Sequence, residues 1–245
     1  MRPVAILQHE ASQGPGFLSE FLQQQGVPSH VFQAADGDLP RRAGDYSGLV
    51  MLGSNRSVND GLPWMTAEMA LVQQALVADV PVLGHCFGGQ MLARAMGAQV
   101  HRNAWPNIGW SRLRVTPAAR ALFGGATHAE FFNWHYDTFE IPQGATRTVF
   151  GTHCLNKGFA MGKHLGFQAH LEVTEASVRA WCEESRHELT LQLARPNNPA
   201  VQSAAEMLRD LPARTERLHA LARGVYRQWV NGLPRPALVQ MHGGW

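Results

Sequence analysis

Short apolar runs and amphipathic segments alternate over the first hundred residues of the chain. The run Val4–Leu7 ends in polar residues, which is typical of a buried parallel strand. Similar runs occupy residues 29–33, 48–53 and 80–84. Apolar residues at helical spacing lie between or after them, in residues 14–26, 66–78 and 88–96. This succession predicts crossover connections and a parallel sheet.

The pattern changes after residue 97. Short strand-like segments separated by turns predict an antiparallel extension of the sheet, around residues 110–115, 131–134, 147–153, 159–161 and 165–170. The rest reads as helix, over residues 175–191, 199–210 and 213–230, before a Gly- and Pro-rich tail from Gly232. We therefore expect a flavodoxin-like open α/β sheet, mostly parallel, with helices on both faces. It would span residues 1–192, with a helical extension, residues 193–245, packed on or beside it.

Composition and charge exclude several classes of protein. Of the 245 residues, 45% are hydrophobic and 16% are charged, which favours a sizeable core over disorder. The net charge is only +2 and the longest basic run is Arg41-Arg42, so nucleic acid is not an expected partner. No apolar run has the length of a membrane span, and the first residues do not resemble a signal peptide. The three cysteines lack metal-ligand spacing, so we expect a reducing, cytoplasmic environment and no metal site.

The segment Val82–Gln90 carries the strongest chemical signal. It reads as a strand, then Gly-His-Cys-Phe-Gly, then a helix, which is the pattern of a nucleophile elbow. Glycines on both sides let strand and helix approach closely. The sulfur of Cys86 then lies at a helix N-terminus, where the helix dipole favours a thiolate, and the N–H of Phe87 can donate to an oxyanion. An inert cysteine in a glycine-rich turn is the alternative.

A cysteine nucleophile needs a base, and His170 and Glu172 are the candidates. They lie two residues apart at the end of an apolar segment, so on an extended chain they point the same way. Glu172 can then bond one imidazole nitrogen while the other faces Cys86. Ligand-binding and catalytic sites of open parallel α/β sheets lie at the carboxyl ends of the strands. A solvated His–Glu pair is the alternative for these two residues taken alone.

The segments Gly84–Gln90 (GHCFGGQ) and Phe167–Thr174 (FQAHLEVT) together resemble the class I glutamine amidotransferases with a Cys-His-Glu triad. Residues 133–139 support the resemblance, which covers residues 1–192 and is closest to stand-alone members similar to the glutaminase domain of GMP synthase. It implies that Cys86 is the nucleophile, His170 the base and acid, and Glu172 the group that orients His170. It also implies a small γ-glutamyl substrate, a γ-glutamyl thioester and no cofactor.

The resemblance further assigns three substrate-binding positions, namely Gln90, His135 and Tyr136. A structural hydrogen-bonding role is the alternative for His135. Lys157 falls near the pocket where relatives have another residue, and we expect its side chain to point into solvent. Pairing with an acidic group of the substrate is the alternative.

The loop after the third strand departs from the family pattern. By resemblance it forms the oxyanion hole, through Gly53 and Ser54, together with Phe87. The family usually has Gly-Gly-Pro here, whereas this sequence has Gly53-Ser54-Asn55. The change predicts a reshaped pocket or a weaker oxyanion hole, and loss of one such donor typically costs about 10²–10³ in rate.

Three functions remain open from the sequence. The first is a cysteine hydrolase that cleaves a γ-glutamyl amide or peptide bond through a thioester on Cys86. The second is a glutaminase subunit that delivers ammonia to a separate synthase. The third is a catalytically silent binding or regulatory protein with the same fold, which only the altered loop favours. A protease or chaperone of the related cysteine-elbow superfamily is a weaker fourth, because the His170–Glu172 pattern favours the amidotransferase arrangement.

Overall fold

The computed structural model describes residues 1–196 and 198–234, and in this part of the chain nine strands form one sheet. The strands are β1 (Val4–Gln8), β2 (Ser29–Gln33), β3 (Gly48–Met51), β4 (Val82–His85), β5 (Val100–Val115), β6 (His128–Phe139), β7 (Thr146–Phe150), β8 (Gly158–Met161) and β9 (His164–Phe167). The α-helices are α1 (Gly16–Gln24), α2 (Pro63–Val77), α3 (Phe87–Ala95), α4 (Glu175–Glu184), α5 (Arg186–Leu193), α6 (Ala204–Leu208) and α7 (Leu211–Asn231).

The sheet has a parallel half and an antiparallel half. Its order is β2-β1-β3-β4-β9-β8-β7-β5-β6. Neighbouring strands are parallel from β2 through β9 and antiparallel from β9 through β6. The predicted α/β sheet with an antiparallel extension is therefore confirmed. None of the helices described is long and apolar enough to span a bilayer.

Helices cover both faces of the sheet. Alternate residues of β1 belong to different apolar cores, Val4 and Ile6 to one and Ala5 and Leu7 to the other, because side chains alternate along a strand. Helices α1, α4 and α7 pack into the first core, whereas α2 and α3 pack into the second. The carboxyl ends of β1, β3, β4 and β9 meet at one edge, and the candidate site residues follow these ends in the chain.

Strands β5 and β6 are longer than the apolar pattern of the sequence predicts. Apolar residues are regular only from Ile108 onward, so the pattern predicts short strands around 110–115 and 131–134. The amino-terminal half of β5 is largely exposed, and its pairing with β6 shifts register between Arg102 and Asn107. A polar, bulged ribbon has no alternating apolar pattern from which it could be recognised.

Two predicted helices differ in extent from the observed ones. The helix expected over 175–191 breaks at Ser185 into α4 and α5, and Glu188 and Gln192 of α5 bond to the hydroxyl of Tyr136. The helix expected over 199–210 is only α6, because the preceding residues pair with β5, where Ile108 donates to the carbonyl of Ala200 at 2.9 Å. Tertiary hydrogen bonds thus override local periodicity. Most of the predicted tail, residues 235–245, lies outside the described residues.

Helix α7 packs directly on the central strands. Trp229 is 2% exposed and lies against Gly48 of β3, where a Cβ atom would come within 2.8 Å of the indole ring. Tyr226, one turn earlier, is fully buried and close to His85 at the end of β4. The helix therefore touches the part of the sheet that carries the site, although the division of the chain at residue 192 stays a prediction.

The packing of Trp229 gives a stability test. Replacing a buried tryptophan with alanine leaves a cavity, so we expect Trp229→Ala to lower the free energy of unfolding by about 3–5 kcal/mol. Denaturant unfolding measures the change. The control is Val77→Ala on α2, where the side chain is 90% exposed and we expect a change of about 0.5 kcal/mol or less. Equal losses in both variants would contradict the packing described.

Candidate active site

Cys86 occupies the sharp turn between β4 and α3. It is a non-glycine residue at φ 50° and ψ −111°, a sparsely populated backbone conformation. Its N–H donates to the carbonyl of Phe167 at 2.8 Å, and the N–H of Gly88 donates to the carbonyl of Leu52 at 3.1 Å. These two bonds fix the turn between β3 and β9. The sequence-based expectation of a strand–cysteine–helix elbow at this position is met.

The turn at Cys86 requires glycine at three neighbouring positions. A Cβ atom on Gly88 would lie 2.2 Å from the carbonyl oxygen of Met51, and one on Gly89 would lie 2.3 Å from that of Phe167. A Cβ atom on Gly84 would lie 2.4 Å from the backbone of Gly88. No larger residue fits at these three positions without moving backbone. The glycines thus let α3 begin in direct contact with two strand ends.

His170 and Glu172 form a buried pair beside Cys86. The Nδ1 atom of His170 lies 2.7 Å from Oε1 of Glu172, and both side chains are at most 3% exposed. The N–H of His170 donates to the carbonyl of Phe132 at 2.9 Å, which ties this segment to β6. On the other side, Phe17 donates its N–H to the carbonyl of Glu172 at 2.9 Å. The structure therefore brings the three residues of the expected triad together.

Burial and charge act on the pair in opposite directions. Burial lowers the pKa of His170, but the Glu172 carboxylate and the hydrogen-bonded Cys86 sulfur raise it to about 10. Burial raises the pKa of Glu172, but His85 and His170 together hold it below its usual value. His170 is therefore protonated and Glu172 ionised at neutral pH. The protonated imidazole of His170, which is hydrogen-bonded to the Cys86 sulfur, is therefore positioned to donate a proton at the site.

A second histidine approaches the same carboxylate. His85 is fully buried, and its Nδ1 atom lies 3.7 Å from Oε2 of Glu172. Its Nε2 atom lies 3.4 Å from the hydroxyl of Tyr226 on α7. Burial lowers the pKa of His85, while Glu172 opposes this shift. No sequence pattern indicated this contact, because Tyr226 lies 141 residues away from His85.

The loop Gly53–Ser57 is tied down by polar bonds from the segment after β1. Oε1 of Glu10 accepts from the hydroxyl of Ser54 at 3.1 Å and from the N–H of Asn55 at 3.0 Å. His9 donates from Nδ1 to the carbonyl of Gly53 at 3.1 Å. A Cβ atom on Gly53 would lie 2.8 Å from the ring of His170, so glycine is required there.

His9 is itself held by a buried carboxylate. Its Nε2 atom lies 2.9 Å from Oε2 of Glu68 on α2, and both side chains are fully buried. The imidazole packs between Trp64 and Phe87, with ring centroids 5.2 and 4.8 Å away. Sequence reasoning missed this pair. Two signals could have revealed it, namely a polar residue at a strand's carboxyl end and a charged residue on the apolar side of α2.

The candidate residues line two adjoining cavities. The larger has a volume of about 370 Å³ and is lined by Cys86, Phe87, Gln90, His135, Tyr136 and polar residues. The smaller has a volume of about 160 Å³ and includes His170 in its wall. Ser54 lines both cavities and Phe87 lines the larger one, so two of the three residues expected to form the oxyanion hole border the space in front of Cys86. Gly53, the third, lines neither cavity. Within residues 1–196 and 198–234, no group of three His, Cys, Asp or Glu side chains is arranged to hold a metal.

Lys157 is buried, and the expectation that it points into solvent is wrong. It is 1% exposed, and its Nζ atom has three acceptors, Oδ1 of Asn107 at 2.9 Å, Oδ1 of Asn133 at 2.8 Å and Nε2 of His135 at 2.7 Å. The three N–H groups of an ammonium match these acceptors. Burial lowers the pKa of Lys157 to about 8, against the attraction of the sulfurs of Cys154 and Cys86. The sequence shows Lys157 only as a charged residue in a predicted turn. Its burial could not be predicted, because its three partners lie 22 to 50 residues away.

His135 uses both ring nitrogens inside the protein. Burial and the neighbouring charge of Lys157 hold its pKa well below 6.5, although a bond to Asp137 opposes this. The neutral ring donates from Nδ1 to the carbonyl of Asp137 at 2.9 Å and accepts at Nε2 from Lys157. Any contact of His135 with substrate would therefore involve its ring face or its backbone.

Tyr136 and Gln90 are also engaged by protein groups. Burial and the Glu188 carboxylate raise the pKa of Tyr136, so its hydroxyl stays protonated and donates to Glu188. The amide nitrogen of Gln90 lies 3.3 Å from Oε1 of Gln168 and 3.3 Å from the carbonyl of Asp137. Both residues line the larger cavity, and their assignment to substrate stays a prediction.

The whole chain has relatives of known family. The family model described as "Glutamine amidotransferase class-I" matches residues 17–180. The crystal structure of a glutamine amido transferase from Methylobacillus flagellatus is 42% identical, with a TM-score of 0.94 and coverage of 99% of both chains. YfeJ of Salmonella typhimurium, named a glutamine amidotransferase-like protein, is 27% identical over 76% of this chain and 82% of its own. Gamma-glutamyl peptidase 2 of Arabidopsis thaliana is 24% identical over 85% of this chain and 86% of its own.

The contact between Glu172 and His170 predicts a shift in titration. Because the Glu172 carboxylate raises the pKa of His170, we expect Glu172→Gln to lower that pKa by about 1–3 units. NMR titration of the His170 ring measures it, with Glu188→Gln as control. The folded pKa of about 10 exceeds the ordinary 6.5, so the stabilisation from this proton is complete below pH 6.5 and is lost as the pH rises through about 10. An unchanged titration in Glu172→Gln would contradict the pairing.

The buried ammonium gives a matched test, because Lys157 and Lys163 are the two lysines of the sequence. Lys157→Met leaves three acceptors without a donor, so we expect the free energy of unfolding to fall by about 3 kcal/mol or more. Lys163→Met removes a pairing with Asp79 from a side chain that is 33% exposed, and we expect a loss below about 1 kcal/mol. Denaturant unfolding compares the two. If Lys163→Met proved the more damaging, the burial of Lys157 would be refuted.

Proposed function

The chain belongs to the class-I glutamine amidotransferase family, and from this premise we propose that it is a cysteine hydrolase that cleaves a γ-glutamyl amide or peptide bond. The observation that carries the proposal is the buried series Cys86, His170 and Glu172, which opens on a cavity of about 370 Å³. A nucleophile, a base and an orienting carboxylate are the groups that acyl transfer needs. The relative from Arabidopsis named as a gamma-glutamyl peptidase, which spans most of this chain, supports the choice of bond.

The first half of the reaction forms a thioester. The sulfur of Cys86, its proton held by Nε2 of His170, attacks the γ-carbonyl carbon. The N–H groups of Phe87 and Ser54 stabilise the resulting oxyanion. The carbon–nitrogen bond then breaks, and His170 gives its proton to the departing amine. Glu172 keeps the imidazole oriented through Nδ1 and stabilises its positive charge.

The second half returns the enzyme to its starting state. Water attacks the thioester carbonyl and gives its proton to His170, and the carbon–sulfur bond breaks to release glutamate. The tethered loop supports an active rather than a silent site. Glu10 and His9 hold Gly53, Ser54 and Asn55 with three hydrogen bonds, so the loop has fixed geometry without the family's proline.

Glutamate release tests the proposal. We expect the wild type to release glutamate from a panel of γ-glutamyl peptides, assayed beside L-glutamine, and Cys86→Ala to lower kcat by about 10⁴-fold or more. Cys182→Ala is the control, because Cys182 is a buried free cysteine that packs in the core. Release from glutamine alone would favour the glutaminase subunit with a separate synthase. No release from any substrate would favour a silent binding protein.

A further inference from the structure

The proposed nucleophile and the proposed base line different cavities at the site. Cys86 lines the larger cavity and His170 lines the smaller one. Neither residue lines the other's cavity, yet the cavities share four wall residues, namely Ser54, Asn55, Trp134 and Ser185. The reacting carbonyl must lie where the two meet, because it has to reach the sulfur, the imidazole and the N–H of Ser54.

The chemistry assigns one part of the substrate to each cavity, on the basis of the proposed function. The thioester leaves the acyl part bonded to Cys86, so the glutamyl end belongs in the larger cavity. His170 protonates the departing nitrogen, so the amine belongs in the smaller cavity. At about 160 Å³ the smaller cavity far exceeds what ammonia fills, since one water takes up about 30 Å³ of the liquid.

The two cavities differ in charge. The larger one has both signs in its wall, from Arg56 and Arg102 and from Asp137 and Glu188, which suits the zwitterionic end of a glutamyl group. The part of the chain that the structure describes puts no lysine or arginine in the wall of the smaller cavity. Glu184 is the one carboxylate that the described residues place in this wall.

Apart from His170, the remaining wall of the smaller cavity is neutral. Trp181 and Trp134 lie at right angles with ring centroids 6.3 Å apart, and the indole N–H of Trp181 is used by the carbonyl of Ser12 at 2.8 Å. Arg186, two residues beyond Glu184, bonds at 2.6 Å to Glu183, which is not in the wall. His170 is the one cation in the described wall, and its charge is paired with Glu172 at 2.7 Å and leaves with the proton that goes to the departing amine. No lysine or arginine therefore offsets the charge of Glu184 inside this cavity.

We infer that the departing amine has no carboxylate on the carbon next to its nitrogen, so the preferred substrates are γ-glutamyl amides of neutral or cationic amines and longer γ-glutamyl peptides. A free α-carboxylate would lie beside Glu184 without a lysine or arginine to bind it. A peptide amide or an apolar group in its place would pack against the two tryptophans. Simple γ-glutamyl dipeptides are accordingly poor substrates.

A matched pair of substrates tests this inference. γ-Glutamylglycinamide and γ-glutamylglycine differ only in whether the glycine carboxyl group is charged. We expect kcat/KM for the amide to exceed that for the acid by about fivefold or more, since like charges a few ångströms apart near water repel by about 1 kcal/mol. Glu184→Gln should bring the ratio close to one, and Glu184→Lys should reverse it.

The controls separate this inference from the proposed function. Glu183→Gln removes the neighbouring carboxylate of the same helix, which does not line the cavity, and should leave the ratio unchanged. Hydrolysis of both substrates with equal or better use of the acid would overturn the inference and leave the hydrolase intact. A ratio insensitive to both Glu184 substitutions would also overturn it. Failure to hydrolyse either substrate, with wild-type Cys86 in place, would count against the proposed function itself.

Discussion

The contact of helix α3 with the ends of β3 and β9 is the constraint on which the site depends. At Gly88 and Gly89 only hydrogen separates the helix backbone from two strand carbonyls, so the start of α3 has a single possible position. Cys86 is thereby placed between the loop that follows β3 and the segment that follows β9. The first supplies Ser54 and the second supplies His170. The proposed nucleophile, oxyanion donor and base thus follow three adjacent strands whose relative positions the glycines fix.

Local patterns predicted the parts of the site that are local. Strand periodicity, the glycines around Cys86 and the two-residue spacing of His170 and Glu172 all lie within short segments, and the structure brings those residues together. Lys157 could not be placed in this way. Its three acceptors lie on β5 and β6, 22 to 50 residues away in the sequence. They offset the free-energy cost of burying the ammonium group, whereas the sequence alone predicts that this side chain lies in solvent. The polar half of β5 was missed for a related reason, because pairing rather than apolar periodicity defines it.

Buried polar groups, rather than apolar packing, hold the loops of the site. His9 and Glu68 anchor the carbonyl of Gly53, Lys157 anchors His135, and Tyr226 reaches His85 behind Glu172. Each is a directional bond in a region of low dielectric, where a satisfied network is rigid and a broken one is costly. This explains how the loop keeps its shape although Ser54 and Asn55 replace the glycine and proline usual in the family.

Part of the cavity wall lies outside the region that the family model matches. The region matched by the family model ends at residue 180 and contains Cys86, His170 and Glu172, whereas Glu184, Ser185 and Glu188 come after it. These later residues line the cavities without belonging to the core of the sheet. Under the proposed function, mutations in this short bent segment would therefore alter which amine is accepted while Cys86, His170 and Glu172 stay in place. Such an arrangement would let descendants of one ancestor acquire new substrates by small steps that leave these three residues untouched.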